Sequence, residues 1–501
     1  MKYQFKTKPY KHQKAALYKL LENGFGGALL MEPRTGKTKV CIDYASILHQ
    51  ADKITRVLVV CPVSVIDVWV HELSVHCPAD YRVTIWDKKG RKEIGLPPWG
   101  QPQLDIVIMN YDAFSVPGAV TGKDSAGNLK RSRKKGGRFE VSRALKAWQP
   151  QLIILDESHR IKSPSAKKAR SLINLGPVAD YRVIATGTAV TKKKRVFDLY
   201  TQWKFLNPDS PLVRGQTSST FKQEYGQWTN RHGYPQWLRA RNSKRLHRLV
   251  HAESFAVTRD ECYDLPEAFP DQIIHVDLEQ SGKVYDEMAE EMIAKIQSGE
   301  ITEASIKLVQ ALRLAQITSG FVKTSPTPAH PQGRLLRVGS EKLEILDELF
   351  EDWFDQGEKI VVCARFRADI ISIAKMVQKR KVHVETLMGG RGKNNREERT
   401  AAIERFRVSE GPSVFVMNPQ AGSLGIDLRS ASTMVWYSLT QSYVDYTQAR
   451  DRIALSGKAN RFVYLLAKDT YDELQYASLQ EDADVVKEIM ASPEMLRRGF
   501  R

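Results

Sequence analysis

Apolar residues along the 501-residue chain fall into two kinds of pattern. Short unbroken runs, Val57–Cys61, Asp105–Met109, Leu152–Leu155 and Arg182–Ala185, end in turn-forming or polar residues, as strands buried on both faces of a parallel sheet do. Between them, His12–Leu21 and Thr38–Leu48 carry apolar residues at spacings of three and four, which predicts helices with one buried face. Strand and helix in alternation predict an α/β lobe over residues 1–200. A second series predicts another lobe over 341–501: Ile360–Cys363, Val382–Leu387, Val414–Met417, Thr433–Tyr437 and Phe462–Leu466. The intervening 201–340 shows helical spacing for most of its length, as in Ile306–Ile317, and reads as a helical insertion and linker. The fold class is therefore α/β, with two tandem lobes on parallel sheets.

Composition narrows the function. The longest stretch without charge, Gly411–Ile426, is broken by Pro412, Asn418, Pro419 and Gln420, whereas a membrane span needs about 20 apolar residues. We therefore expect no membrane partner. The first residues, MKYQFKTKPYKHQK, lack the apolar core of a secretory signal, so a cytoplasmic location is expected, in the host cytoplasm or nucleoid if the chain is phage-encoded. Cys41, Cys61, Cys77, Cys262 and Cys363 form no CxxC pair and read as reduced thiols. The net charge of +18 is unevenly placed. Within a basic insertion at 115–145, Lys123–Arg143 holds eight Lys/Arg against two acids, a net +6, and Arg231–Arg248 holds six Lys/Arg and no acid, interleaved with Tyr234 and Trp237. Such patches suit a phosphodiester backbone, with a solvated charged face as the plain alternative. The nucleic-acid candidates are Lys130, Arg131, Arg133, Lys134, Lys135 and Arg138 in the first patch and Arg241, Lys244 and Arg245 in the second.

The segment GGALLMEPRTGKTKV places a turn between an apolar run and a helical pattern. A phosphate cradle needs backbone N–H groups aimed at oxygens, here from Arg34, Thr35 and Gly36, a lysine for the β/γ-phosphates, Lys37, and a hydroxyl for Mg2+, Thr38. The full pattern wants glycine where Met31 stands. Further along, the apolar run of LIILDESH ends at Asp156 and Glu157, at the carboxyl edge where such sheets bind ligands. Asp156 would hold Mg2+, and Glu157 would orient and deprotonate the attacking water. Together these point to ATP with Mg2+ as cofactors.

MEPRTGKT, LDESH and ATGTA (Ala185–Ala189) resemble motifs one to three of helicase superfamily two. CPVSVIDVWVHEL, with Pro62, Trp69 and Glu72, and SFAVTRDECYDLPE, with Leu265 and Pro266, resemble segments of its Swi/Snf ATPases. KIVVCARF, NPQAGSLGIDLRSA and QARDRIALSGK resemble motifs four, five and six. The resemblance implies two RecA-like lobes that share one ATP site and act on DNA. It makes Gln13 the adenine contact and Gly425 and Asp427 nucleotide-sensing residues. Gly422 becomes a DNA-backbone contact and Arg452 the cation delivered to the γ-phosphate, with Arg450 a lesser substitute. His159, Thr186, Gly187, Thr188 and Gln448 take the coupling roles. The Lys192–Arg195 junction would face the cleft.

Two departures bear on this: Pro33 and Arg34 replace the Met-Gly pair of eukaryotic remodellers, as in compact phage or bacterial members, and Leu455 replaces the second arginine of motif six. The function implied is a DNA-dependent ATPase translocating on duplex DNA, sequence-tolerant and monomeric, with room for a protein partner. The alternatives are a strand-separating helicase, an ATP-switched DNA-binding protein with weak hydrolysis and, more distantly, a small-molecule P-loop kinase.

Overall fold

A computed structural model of the chain describes residues 3–86, 103–116, 120–123, 129–131, 137–190, 196–231, 234–262, 269–297, 303–324, 333–388, 396–420, 426–454 and 456–490. The chain divides into two bodies, the first built around residues 1–263 and the second from 264–481.

The first body holds a seven-stranded sheet. Its strands are β1 (Gly26–Met31), β2 (Arg56–Cys61), β3 (Tyr81–Ile85), β4 (Leu104–Asn110), β7 (Leu152–Asp156), β8 (Tyr181–Ala185) and β11 (Ser254–Val257), in spatial order β11-β1-β8-β7-β2-β4-β3. Every pairing is parallel. Side chains of one parity, Leu29, Met31, Val57, Val59, Ile106, Ile154 and Val183 among them, pack against helices Lys11–Asn23, Lys37–Gln50 and Ile66–His76. Those of the other parity, such as Leu58, Val60, Ile153, Leu155 and Ile184, are equally buried and point to the opposite face. Helices Gly137–Trp148, Lys167–Leu175 and Asp198–Leu206 cover that face with Leu145, Leu172, Leu175, Leu199 and Trp203. Burial on both faces is why these strands read as unbroken apolar runs.

The second body repeats the plan with six parallel strands: β12 (Gln272–Val276), β15 (Lys359–Cys363), β16 (His383–Leu387), β17 (Ser413–Met417), β18 (Thr433–Trp436) and β19 (Arg461–Ala467), in order β12-β19-β18-β15-β17-β16. Leu346, Phe350 and Trp353 of Glu341–Asp355 and Ile370, Ile373 and Val377 of Arg367–Lys379 close its core.

The middle of the chain differs from the helical expectation. Besides helices it contains β11, which completes the first sheet, and β12, which opens the second, so the region 201–340 is divided between the two bodies. Gly226–Arg231 (β9) and Tyr234–Ala240 (β10) form an antiparallel hairpin inside the region read as a helical insertion. Trp228, Thr229, Tyr234 and Trp237 favour a pleated ribbon, and the helical spacing starts only at Ser243–Ala252. Smaller ribbons pair β5 (Val120–Lys123) with β6 (Leu129–Arg131) and β13 (Phe321–Lys323) with β14 (Leu335–Arg337). Among the described residues no helix is long and apolar enough to cross a membrane.

Arg450 is built into the second body. Its guanidinium donates to both oxygens of Asp271, at 2.7 and 3.1 Å, and to the Tyr446 hydroxyl at 2.9 Å. It also donates to the Tyr464 hydroxyl and lies 3.7 Å from the centre of the Phe462 ring. Removing one member of a mostly buried charged pair leaves the other uncompensated. Arg450→Ala should therefore lower the unfolding free energy of this body by on the order of 3 kcal/mol. Urea denaturation followed by tryptophan fluorescence checks this, and an unmoved midpoint would show that the pair contributes nothing.

Candidate ATP site

Strands β1, β8 and β7 are neighbours in that order, so the segments that follow them, 32–36, 186–188 and 156–159, leave the carboxyl edge of the sheet side by side. The first turns tightly. Arg34 and Gly36 adopt the left-handed backbone region, with φ of 69° and 86°, and the helix Lys37–Gln50 starts directly after Gly36. A Cβ on Gly36 would lie 2.1 Å from Nε2 of Gln13, so this position excludes a side chain by conformation and by space. One on Gly187 would lie 2.8 Å from Cδ of Pro33, which puts the segment after β8 directly against the loop after β1.

Hydrogen bonds fix the loop. The Thr35 carbonyl accepts from Gln13 at 3.3 Å and is 2.8 Å from Nε2 of His12, and the Thr35 hydroxyl donates to the Glu32 carbonyl at 2.7 Å. The Gln13 oxygen accepts from the Tyr10 amide at 3.0 Å. Gln13 is thus buried as a brace between Tyr10 and Thr35. The ammonium of Lys37 donates to the carbonyls of Met31 and Glu32 at 2.8 and 3.1 Å. Glu32 in turn accepts from the amide and Nε of Arg259 at 3.0 and 3.1 Å, so the chain just beyond β11 supports the loop from its other side.

Asp156 ends β7 and is only 6% exposed. One carboxylate oxygen accepts from the Trp69 indole at 2.9 Å and the other from the Glu157 amide at 3.0 Å. Burial, and then the adjacent Glu157 carboxylate, push its pKa up to about 6, against the pull of the Trp69 bond and the Lys37 charge. Glu157 adopts a left-handed backbone, with φ of 54°. Its Oε2 lies 3.2 Å from Nδ1 of His159 and accepts from the Thr186 hydroxyl at 3.4 Å. His159 and Thr186 are themselves 3.2 Å apart, and the Thr186 oxygen accepts from the Thr188 amide at 3.0 Å. His159, Thr186 and Thr188, three of the residues expected to couple, therefore form one cluster around the Glu157 carboxylate.

This donor set fits a divalent cation that arrives with phosphate. Asp156, its pKa raised beside a second carboxylate, lacks positive charge, and no group of three His, Cys, Asp or Glu able to hold a metal unaided occurs among the described residues. Asp156, with Thr38 in the first turn of the helix, is the pair that would hold Mg2+.

In the second body Arg452 donates to the carbonyls of Gln448 and Ile426 at 3.0 and 3.4 Å, and its own carbonyl accepts from Leu428 at 3.1 Å. This joins the segment holding Asp427 to the helix Tyr443–Arg450. Asp427 is half exposed and accepts from Arg429 at 2.9 Å. Gln448 is buried.

A family model described as the SNF2-related domain matches residues 11–319, and one described as the helicase conserved C-terminal domain matches 341–457. The chain belongs to the SNF2-related ATPases. A probable chromatin-remodeling complex ATPase chain of Oryza sativa subsp. japonica is 23% identical over 444 residues, covering 87% of this chain and 36% of the relative. A SWI/SNF-related matrix-associated actin-dependent regulator of chromatin subfamily A-like protein 1 homolog of Caenorhabditis elegans is 23% identical over 448 residues, 88% of this chain and 56% of its own length. The chain thus spans between about a third and rather more than half of these relatives. The Sulfolobus solfataricus SWI2/SNF2 ATPase core in complex with dsDNA matches 99% of this chain and 97% of its own, at 22% identity and a TM-score of 0.41. None of these relatives supports a phage source.

The nucleic-acid candidates of this SNF2-related core are scattered. Lys130 and Arg131 fall on β6, and Arg138 is half-buried in the helix Gly137–Trp148. Arg241, Lys244 and Arg245 are exposed beside the β9–β10 hairpin, with Arg245 paired to Glu224. Trp228 is held inward by a ring stack on Phe197 and a 3.1 Å bond to the Lys222 carbonyl. Arg133, Lys134, Lys135, Gly422, Gly425, Leu455, Leu265, Pro266 and the 192–195 junction lie outside the described residues. Sequence reasoning missed the Trp69–Asp156 and Glu32–Arg259 contacts. Trp69 carried a signal as a family marker, whereas Arg259 is one arginine among many.

Gly36→Ala should abolish nucleotide binding, measured with a fluorescent ATP analogue, because a Cβ strains the left-handed turn and displaces the Gln13 amide that braces it. For Asp156, the folded-state pKa lies above the ordinary 3.8, so its charge opposes folding above about pH 6 and ceases to as pH falls below 4. Asp156→Asn should melt higher than the parent at pH 7.5, and the gap should close as pH falls from 6 to 4. Differential scanning calorimetry across that range checks it, and a gap that widens toward acid would refute the assignment.

Proposed function

We propose that this chain is the motor core of a DNA-stimulated ATPase that moves along double-stranded DNA without necessarily separating its strands. The observation that carries the reading is the Glu157–His159–Thr186 cluster, which ties the carboxylate suited to activating water to the segment after β8. A small-molecule kinase has no use for that link, whereas a motor must connect phosphate chemistry to another part of the lobe. Membership of the SNF2-related family and relatives named as chromatin-remodeling ATPases support the same conclusion.

In this reading Lys37 exchanges its loop carbonyls for the β- and γ-phosphates, and the Gly36 turn aims backbone N–H groups at the same oxygens. A magnesium ion held by Thr38 and Asp156 would neutralise phosphate charge. Glu157, oriented by His159 and Thr186, positions the attacking water and takes its proton. Arg452 is the cation for the developing charge on the γ-phosphate, because Arg450 is committed to Asp271, Tyr446 and Tyr464. Gln13 contacts adenine from its place beside the loop. DNA is gripped through phosphates and not bases, and the protein acts in the compartment that holds its DNA.

Steady-state phosphate release with no nucleic acid, single-stranded DNA, duplex DNA and RNA tests the proposal. Duplex DNA should stimulate turnover most, by about tenfold or more, within the roughly 10³-fold that charge delivery to the transition state can provide. Lys37→Ala and Glu157→Gln should each reduce it to background, the second while still binding ATP. Equal turnover with and without duplex, or parental turnover in either variant, would overturn the reading. A strand-separating helicase would open a forked duplex as readily as it displaces a triplex-forming strand, and a translocase would do only the latter.

A further inference from the structure

Ahead of the helix Lys11–Asn23, alternate residues turn inward: Tyr3, Phe5 and Thr7 are partly buried and Pro9 is buried, while Gln4, Lys6 and Lys8 are exposed. This segment meets two helices. On Lys37–Gln50, the Tyr3 hydroxyl donates to Oδ1 of Asp43 at 3.0 Å, and the Phe5 ring lies 5.5 Å from the Lys39 ammonium. On Ile66–His76, the Thr7 hydroxyl is 2.6 Å from Nδ1 of His76, and Lys6 donates to the Ser74 carbonyl at 2.8 Å. His76 is held in turn by Glu72, 3.2 Å from its Nε2. Residues 3–7 thus bridge the seam where Ser46 of the first helix meets Cys77, just past the second, at 3.6 Å.

These contacts are more polar than packing requires. Lys39 and Asp43 pair at 2.8 Å, and both are buried. Burial pushes the Asp43 pKa up, against the bond and charge of Lys39 and the bond from Tyr3. A buried ion pair is often no more stabilising than apolar side chains of the same volume, but its bonds have direction. An apolar patch would let the segment slide along the helix. The Asp43 carboxylate, shared between Lys39 and Tyr3, admits one register.

The same two helices carry both ends of the candidate metal pair. Thr38 precedes Asp43 on one helix, ~7.5 Å along its axis, and Trp69, the partner of Asp156, precedes His76 on the other by ~10.5 Å. Helices are stiff over such lengths, so the spacing set at Asp43 and His76 carries through to Thr38 and Trp69. Mg2+ demands near-octahedral oxygens at about 2.1 Å, whereas Ca2+ accepts a looser shell at about 2.3–2.6 Å, so magnesium is the ion most sensitive to that spacing.

We infer that residues 3–7 are a strap that sets the spacing of Thr38 and Asp156, with Tyr3, Asp43, Thr7 and His76 as positioning residues for a magnesium nucleotide. The inference rests on the ATP-site reading above and extends it to a segment outside the phosphate loop. Sequence spacing does not announce the strap, because its anchors lie 40 and 69 positions away.

The test uses the full chain and the double variant Tyr3→Phe/Thr7→Val, which removes both hydroxyl contacts and keeps the side-chain shapes. Each protein is titrated with a fluorescent ATP analogue in Mg2+, in Ca2+ and in EDTA, well below its melting temperature. The variant should bind the magnesium form about tenfold more weakly, the low end of what indirect partners of a metal site contribute. Its affinity in EDTA should stay parental, and its loss in Ca2+ should be smaller than in Mg2+. Thr7→Ser, which keeps the hydroxyl, should match the parent in all three titrations. If the double variant does not fold, Tyr3→Phe and Thr7→Val tested singly should each cost about threefold in Mg2+ alone, as independent sites that together make up the tenfold loss. A lower melting temperature with all three affinities parental would make the strap a structural clamp and overturn the inference, leaving the ATP site intact. An equal loss in all three titrations would place the effect on the phosphate loop and overturn the assignment to the metal pair. A Lys37→Ala variant that binds the analogue as tightly as the parent would overturn the ATP-site reading first.

Discussion

Asp156 is a carboxylate placed where charge is expensive. It closes a strand in the middle of a seven-stranded sheet, nearly out of reach of water and next in sequence to another carboxylate. Much of the surrounding structure answers that placement. Trp69, brought in by the helix Ile66–His76, gives one oxygen an N–H, and the Glu157 amide gives the other. Tyr111 donates to the Asp156 carbonyl at 2.8 Å. Lys37, held by its own loop, supplies the nearby positive charge. Even so the carboxyl retains a raised pKa, a residual demand for positive charge that a nucleotide-borne cation would satisfy.

The loops around it are fixed by close approach as much as by hydrogen bonds. Gly36 lies against Gln13, and Gly187 lies against Pro33, so no loop can move far without its neighbour. Glu157 shows the same rigidity, since a left-handed backbone at a non-glycine residue persists only where its surroundings hold it. Here His159 and Thr186 hold the side chain that the strained backbone turns outward. A departure from the usual loop sequence, Pro33, thus has a structural use as the surface on which Gly187 rests.

Much of the fold was legible because its central strands are buried on both faces and leave unbroken apolar runs. The strands that were missed lack that mark. β12 is mostly exposed, β3 alternates only weakly, and β11 is four residues long and meets its partner β1 from more than 200 residues away. The catalytic candidates Lys37, Asp156 and Glu157 were readable because their neighbours in sequence are their neighbours in space. Trp69 and Asp156 are 87 positions apart, and no local spacing announces such a bond. The surroundings of Arg450 also needed the structure, because no local spacing announces its bond to Asp271 or its place against the Phe462 ring.

The origin of β11 has a consequence for how the first lobe is made. A fragment ending near residue 200, where strand–helix alternation fades, would leave one side of β1 unpaired, and that strand is buried along its whole length. An open, apolar edge of this kind recruits other chains. On the ribosome the nascent lobe meets the same hazard until residues 254–257 emerge, so the autonomous folding piece is set by the strand that arrives last.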